Sequence, residues 1–238
     1  MKKNTRCKLE ILRRAVLLTI LLILPGGFIC ATAKEPPEFI NLPGVRHNGG
    51  ITVEQALAKR RSVRHYRDDP LSLNEISQLL WSAQGVTDSR GFRTAPSAGA
   101  LYPLEIYLVA GNVSTLSPGI YRYLAVEHTL AKISQGDKRT ELSRAALNQS
   151  SVRNAPAVLV FCCIYERTTI KYGKRGIKYV HMEAGHAAQN VFLQAASLGL
   201  GTVVIGAFSD KKVKAVLNVK EDEMPLYLMP VGKPSSGK

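Results

Sequence analysis

The densest group of chemically competent side chains is a run of four arginines within eight residues. Arg60, Arg61, Arg64 and Arg67 surround Ser62 in the segment RRSVRHYR. A guanidinium binds two oxygens of a phosphate at once, and a serine hydroxyl adds a further donor. The spacing predicts a site for a dianionic phosphate. Two alternatives stay open on the residues alone: a solvated basic face, or a helix end that places cations against its negative dipole.

A second candidate is the run APSAGALYP at residues 95–103, which consists of small and turn-forming residues. Such a loop lets the backbone approach a ligand closely. Ser97 with His186 as its base would suggest a serine hydrolase, but a nucleophile elbow reads G-x-S-x-G and opens a helix. Here Ala95 replaces the first glycine and a strand is expected to follow. We therefore interpret the run as a ligand-binding loop.

Two further segments have the composition of a binding site. The apolar run GLGTVVIGAF at residues 199–208 can lay backbone N–H groups beside a flat ring, although packing glycines would give the same pattern. The run YGKRGIKY at residues 172–179 is predicted to be a basic and aromatic loop. Its Lys178 and Tyr179 can exchange protons if a pocket shifts their pKa values, and otherwise are surface residues.

Several common site types are absent from the sequence. It has no G-x-G-x-x-G after a strand, no Walker loop and no H-E-x-x-H motif. Its four cysteines form no C-x-x-C pair, so neither a zinc site nor a disulfide framework is expected. The net charge of +14 permits contact with nucleic acid or an anionic membrane, but no recognised nucleic-acid motif is present and no nucleic-acid partner is expected.

Part of this charge belongs to the N-terminal segment. Residues 1–33 carry +5, an apolar run from Ala15 to Leu24 that is short for a spanning helix, and a small-x-small site ending at Ala33. We interpret them as an export signal cleaved after Ala33, with an uncleaved anchor as the alternative. Arg13 and Arg14 also fit a loose twin-arginine pattern, but the general export route is favoured. An extracytoplasmic location follows.

The rest of the chain is predicted to be an irregular arm over residues 34–50 and one domain over 51–238. Thr52 with Gln55, and Ser72 with Glu75, look like capping boxes that open helices. The remaining helices and strands alternate irregularly, which favours the α+β class over a regular parallel βαβ sheet. The predicted strands cover residues 104–110, 119–126, 129–133, 157–165, 202–205 and 226–231, and the later helices cover 138–147, 181–198 and 211–217.

The ordered set of motifs resembles the nitroreductase family, and within it the azoline-oxidising, SagB-type dehydrogenases. The similarity spans residues 52 to 234 and is carried by RRSVRHYRDD, LLWSAQG, TAPSAGALYPLEIYLV, GIYRYL, KYGKRGIKYVHMEAGHAAQNVFLQAASLGLGTVVIGAF and LMPVGKP. The resemblance implies a nitroreductase-like fold, a mixed and mostly antiparallel sheet flanked by helices. It also implies a homodimer with two FMN molecules at the subunit interface.

The resemblance assigns roles to individual positions. The phosphate and ribityl group of FMN would be held by Arg60, Arg61, Ser62 and Arg64, with Lys233 closing on the phosphate. Ile205 and Gly206 would present backbone to the flavin ring near N5. The residues that would reach the flavin of the facing subunit are Pro96, Ser97, Ala98, Gly99 and Leu101.

The same resemblance implies chemistry for the helix that carries E-A-G-H. Lys178 is the candidate base and Tyr179 its partner, whereas His186, Gln189 and Asn190 are expected to be packed and hydrogen-bonded. The expected activity is oxidation of a small or peptidic substrate. An NAD(P)H-dependent nitro or quinone reductase, and an FMN-binding protein without turnover, are the alternatives. Export would separate the chain from cytoplasmic NAD(P)H, so the electron partner stays open between NAD(P)H, a quinone and oxygen.

Overall fold

The structure is a computed structural model that describes residues 38–235. The chain divides into two units, residues 1–36 and 37–238, and the described residues lie in the second. The predicted export signal lies outside the described residues. None of the helices between residues 38 and 235 combines the length and apolar character that a bilayer crossing requires.

A seven-stranded sheet runs through the centre of the described part, in the order β1-β4-β3-β2-β5-β7-β6, and all neighbouring strands are antiparallel. This confirms the α+β class and the mostly antiparallel sheet. The strands are β1 (Phe39–Asn41), β2 (Leu104–Ala110), β3 (Gly119–Leu124), β4 (Thr129–Gln135), β5 (Ala157–Cys163), β6 (Gly201–Thr202) and β7 (Met224–Gly232).

Seven helices cover the two faces of the sheet in the described residues. They are α1 (Val53–Lys59), α2 (Leu73–Gln84), α3 (Arg139–Ala145), α4 (Ser150–Asn154), α5 (Glu166–Tyr172), α6 (Arg175–Ser197) and α7 (Asp210–Leu217). The apolar sides of α2 and α6 pack with one face of the sheet, and those of α3 and α7 with the other. Both predicted capping boxes are present, at Thr52 for α1 and at Ser72 for α2.

Strand β5 is buried along its whole length, as its continuous apolar sequence predicted. Cys163 belongs to the apolar cluster under α2 and α6, and Cys162 to the cluster under α3 and α7. Both thiols are free, and burial raises the pKa of Cys163 to about 12. They are core residues and unreactive at neutral pH.

Three local predictions were wrong. The strand expected over 202–205 covers only Gly201–Thr202, with an isolated bridge at Ile205. The run at residues 172–179 is not a loop: α5 ends at Tyr172, the φ of +55° at Gly173 breaks the helix, and α6 begins at Arg175. Gly176 allows this tight connection, because a Cβ there would lie 3.0 Å from the backbone of Thr168. The arm before residue 50 is also not wholly irregular, since β1 pairs with β4.

Candidate active site

The arginine segment, residues 60–67, lies along the edge of the sheet and is held by its main chain. The amide of Val63 donates to the carbonyl of Thr202 at 2.9 Å, and Ser62 forms a parallel bridge with the same residue. The amide of Arg67 donates to the carbonyl of Lys233 at 2.9 Å. The segment therefore lies between β6 and the end of β7, which brings Lys233 beside the arginines.

The arginine side chains have different surroundings. Nη1 of Arg61 donates to the carbonyls of Ala58 at 2.9 Å and Arg60 at 2.8 Å, so this guanidinium caps the end of α1. The guanidinium of Arg60 lies 5.2 Å from the ring centre of Phe192 on α6. Arg64 and Ser62 are exposed. The helix-end alternative thus describes one member, Arg61, while Arg64 faces solvent.

A cavity of about 270 Å³ opens beside this segment. Arg60, Arg61 and Phe192 line it together with Thr202 and Pro234. It combines two guanidinium groups with an aromatic wall. Such a cavity suits an anion that is attached to an organic group.

The segment after β6 returns to the sheet at Ile205. The amide and carbonyl of Ile205 are both paired with Leu228, each at 2.9 Å. Gly206 follows in an exposed position, where an added Cβ would meet no atom within 4 Å. Open backbone is therefore available at Gly206, whereas the backbone of Ile205 is engaged in the sheet.

The Ser97 loop, residues 94–102, is the second part of the candidate site. Gly99 has a φ of +66°, and a Cβ there would lie 2.8 Å from Oη of Tyr172. Ala100 and Tyr102 also have positive φ values, of 54° and 45°, which residues other than glycine rarely adopt. Oγ of Ser97 accepts a hydrogen bond from the amide of Tyr102 at 2.9 Å. The loop is therefore a tight, strained turn.

Two side chains from α6 bind this loop. Nδ2 of Asn190 donates to the carbonyl of Thr94 at 3.1 Å, and the carboxyl of Glu183 hydrogen-bonds to the hydroxyl of Ser97. Glu183 also accepts from Nε2 of Gln84 at 3.5 Å, and its residue exposure is only 2%. Asn190 is hydrogen-bonded as expected, but His186 and Gln189, which were expected to be packed, are exposed. The role of Glu183 was not predicted. Its position within the Ala and Val stripe of α6 is the sequence signal that could have revealed it.

Burial changes the acidity of this carboxyl group. Desolvation raises the pKa of Glu183 from its ordinary value to about 7, against the hydrogen bonds from Ser97 and Gln84 and the positive charge of Arg93. The guanidinium of Arg93 in turn lies 4.4 Å from the ring centre of Tyr102. A carboxyl with a pKa near 7 can change its charge within the physiological pH range.

Lys178 and Tyr179 lie near the start of α6, on the same side of the molecule as the Ser97 loop. The ring of Tyr179 contacts that of Tyr172 edge-on, with centroids 5.2 Å apart, and Tyr172 adjoins Gly99. Lys178 is exposed. The arginine segment adjoins Phe192, which lies about 20 Å farther along α6 at 1.5 Å per residue. One chain therefore does not bring the two parts of the predicted site together.

The α+β fold, the basic sheet edge and the tight Ser97 loop are the features that the sequence resemblance implied, and comparison with known proteins gives the family. The sequence profile of the nitroreductase family matches residues 57–233, so the chain belongs to the nitroreductase family. The nitroreductase-like protein MJ1384 of Methanocaldococcus jannaschii is 50% identical over 194 residues, which are 82% of this chain and 96% of that protein.

Two further similarities concern flavin and peptide processing. The FMN reductase (NADPH) of Bacillus subtilis is 28% identical over 203 residues, covering 79% of this chain and 68% of that protein. A chain of the Escherichia coli microcin synthetase McbBCD complex, solved with truncated pro-MccB17 bound, superposes with a TM-score of 0.67. It is 26% identical, and the match covers 94% of this chain and 87% of that chain. Together with the family, these matches make the chain an FMN-dependent oxidoreductase.

Proposed function

We propose that this chain is a SagB-type dehydrogenase or oxidase that works as a homodimer and acts on a small or peptidic substrate. One observation carries the proposal: the arginine segment with its cavity, our candidate phosphate half-site, and the Lys178–Tyr179 pair beside the Ser97 loop, our candidate proton-transfer half-site, lie toward opposite ends of α6. A twofold axis that crosses α6 would place the first half-site of one chain against the second half-site of its partner. FMN would then lie between the two subunits.

The residues at the sheet edge fit the phosphate end of FMN. Arg60, Arg64 and Lys233 supply positive charge, Ser62 supplies a hydroxyl, and the cavity beside them has room for an anionic group. Arg61 would contribute its remaining N–H groups, since its Nη1 already serves the end of α1. Bound FMN would supply two-electron redox chemistry by accepting or returning a hydride equivalent.

The flavin ring requires a flat contact and a backbone donor near N5. We assign that donor to Gly206, because the Ile205 amide already donates to Leu228. The pairing of Ile205 with Leu228 would fix the position of this segment relative to the sheet. The open space around Gly206 allows a flavin ring to approach closely. From the partner chain, Pro96, Ala98 and Leu101 of the Ser97 loop would cover the other side.

The exposed face of α6 supports a dimer in which this helix meets its copy. Met182 is 54% exposed, and Gly185 has no atom within 4 Å of an added Cβ. A glycine in the middle of an exposed helix costs about 1 kcal/mol relative to alanine. A second helix that packs closely against α6 at Gly185 would explain why glycine occupies this position despite its cost. Leu57 on α1, which packs beside α6, is 52% exposed and extends the apolar surface.

Proton movement would fall to the start of α6. We propose that Nζ of Lys178, in its uncharged amine form, takes a proton from the substrate and that the hydroxyl of Tyr179 orients the reacting group. The edge-on contact with Tyr172 fixes the ring of Tyr179. The position of Tyr172 against Gly99 keeps these groups beside the loop that would face the flavin.

The second candidate function is NAD(P)H-dependent reduction of nitro compounds or quinones, which the similarity to the Bacillus subtilis FMN reductase favours. An FMN-binding protein without turnover is the third. We propose an extracytoplasmic location on the strength of residues 1–33. An exported enzyme would exchange electrons with a quinone or oxygen, which ranks substrate oxidation above NAD(P)H-dependent reduction.

The visible spectrum of the purified chain, with FMN added if needed, tests the proposal. After unbound FMN is removed, we expect flavin bands at about 370 and 450 nm that are much weaker in Arg64→Ala. Arg67→Ala is the matched control, because Arg67 lies in the same segment but pairs with Asp69. NADPH that bleaches the flavin at a catalytic rate would favour the reductase. A flavin that no donor or substrate reduces would indicate a binding protein, and a folded chain that never binds FMN would overturn the proposal.

A further inference from the structure

A second cavity, of about 230 Å³, lies where the chain leaves the Ser97 loop and enters β2. Its walls come from the end of α2, the ends of β2 and β3, and the start of α5. The polar side chains in these walls are Gln84, Arg93, Glu105, Arg122 and Arg167, with the exposed Glu127 at the rim. No part of the proposed flavin site uses this cavity.

One buried carboxylate serves two of the three arginines. Oε2 of Glu105 accepts from Nε and Nη2 of Arg122 at 3.0 and 2.8 Å, and Oε1 accepts from Nη2 of Arg167 at 2.5 Å. Both oxygens of Glu105 are therefore engaged. Arg122 and Arg167 still expose 29% and 36% of their side chains.

The third guanidinium has a different environment. Nη1 of Arg93 donates to Oε1 of Gln84 at 3.0 Å, and Cζ of the Arg93 guanidinium lies over the ring of Tyr102. Among residues 38–235, no carboxylate lies within ion-pair distance of Arg93. Burial lowers the pKa of Arg93, and the charges of Glu105 and Glu183 act on it only from farther away. A partly desolvated cation without an ion pair gains from an anion that reaches it.

The donor set favours a carboxylate over a phosphate. Each guanidinium has five N–H groups, and the contacts above use one or two of them, so planar pairs of donors remain for two oxygens. Glu105, the partly charged Glu183 and Glu127 at the rim leave little net positive charge on the three arginines. A monoanion completes that balance, whereas a dianion exceeds it. Tyr123, Ala125 and Val126 add an apolar wall for the group that carries the carboxylate.

We propose that this cavity binds the carboxylate of an organic acid that is the substrate or part of it. The inference rests on the proposed function, since the loop that begins beside Arg93 is the one assigned to the flavin. A substrate held at Arg93 by its carboxylate would extend along the Ser97 loop toward the reacting groups. The substrate class is therefore an apolar molecule with a free carboxylate, such as an amino-acid-derived acid or a peptide C-terminus.

Calorimetric titration of the purified chain with benzoate, with and without FMN, tests the inference. We expect one benzoate per chain, at least about tenfold weaker binding in Arg93→Gln, and no binding of the uncharged benzamide. Arg93→Lys keeps the charge but loses the planar fork, and it should also bind more weakly. Arg90→Gln is the matched control, because Arg90 lies in the same connection but pairs with Asp88 and is exposed. It should bind benzoate as the unmodified chain does.

The outcomes separate this inference from the proposed function. Unchanged benzoate affinity in a folded Arg93→Gln or Arg93→Lys chain would overturn the carboxylate-site inference. Displacement of benzoate by inorganic phosphate at equal concentration would also overturn it, because that result would indicate a general anion site. A chain that binds FMN but no benzoate would overturn the cavity assignment alone. A chain that binds benzoate through Arg93 but never FMN would overturn the proposed function and leave the carboxylate site.

Discussion

The arginine segment and the Ser97 loop are both assigned to FMN, but they are held in place by different means. Main-chain hydrogen bonds to Thr202 and Lys233 fix the arginine segment, so its course depends little on its side chains. The Ser97 loop is fixed by side chains from α6, namely Glu183 and Asn190, and by residues with positive φ. Substitutions in the segment should therefore change ligand affinity, whereas substitutions around the loop should change stability.

The largest effect is expected from the charge of Glu183. Its pKa is about 7 in the folded chain and near 4.5 when unfolded, so the folded state keeps this proton to higher pH. The free energy of unfolding should fall as pH rises from 4.5 to 7, by about 3 kcal/mol from this group. Glu183→Gln should remove that part of the pH dependence. Urea titrations of the unmodified chain and of Glu183→Gln at pH 5 and pH 8 measure the free energy of unfolding. An equal change between the two pH values in both chains would contradict the raised pKa of Glu183.

Gly99→Ala should give the next largest effect. The substitution costs about 1–2 kcal/mol because φ is positive, and its Cβ must also displace Tyr172. Gly91→Ala is the control, since Gly91 has a φ of +85° but open space around an added Cβ. Thermal unfolding should show a loss in both variants, with the larger loss in Gly99→Ala. Equal losses would mean that the contact with Tyr172 does not matter.

Asn190→Ala should destabilise the fold by about 1 kcal/mol, because the carbonyl of Thr94 loses its donor. Gln189→Ala changes the neighbouring, exposed residue and should have almost no effect on stability. Chemical unfolding of the two variants side by side provides the measurement. A Gln189→Ala chain as unstable as Asn190→Ala would show that the hydrogen bond to the loop is not the cause.

Arg64→Ala is expected to change stability least, by less than about 0.5 kcal/mol, because its side chain is exposed and the main chain fixes the segment. Its effect should be on FMN, with affinity lowered about 30-fold by the loss of a charge-assisted contact. Fluorescence titration with FMN and thermal unfolding separate the two quantities. A large fall in unfolding temperature with unchanged FMN affinity would mean that the Arg64 side chain supports the fold and does not bind FMN.

The same contrast explains what the sequence could reveal. Capping boxes at Thr52 and Ser72 and the continuous apolar run of β5 are local patterns, and the structure contains the predicted elements. The start of α6 was predicted six residues too late, because residues 175–180 contain a glycine and two basic residues, and their packing against α5 depends on Gly176. Tertiary contact decided that boundary, which local composition could not show.

The site residues could be predicted from the sequence to different degrees. The arginine cluster is visible because its members are close together in the chain. Glu183, Gln84 and Arg93 meet only in the folded molecule, and each looks like an ordinary polar residue in its own segment. Glu183 lies within the buried Ala and Val stripe of α6, with a residue exposure of 2%, and this position alone distinguishes it in the sequence from the surface carboxylates. Networks of this kind require the fold before they can be recognised.

A heterodimer of two defective chains tests whether each flavin site is built from two chains. One chain would carry Arg60→Ala and Arg64→Ala, and the other Ala98→Asp, which places a carboxylate where the loop meets the flavin. Each variant alone should bind no FMN. Co-expression with different affinity tags allows purification of the mixed dimer, in which one of the two sites has both halves intact. We expect one FMN per mixed dimer by absorbance, and a mixed dimer with no FMN would show that the site is not shared between two chains.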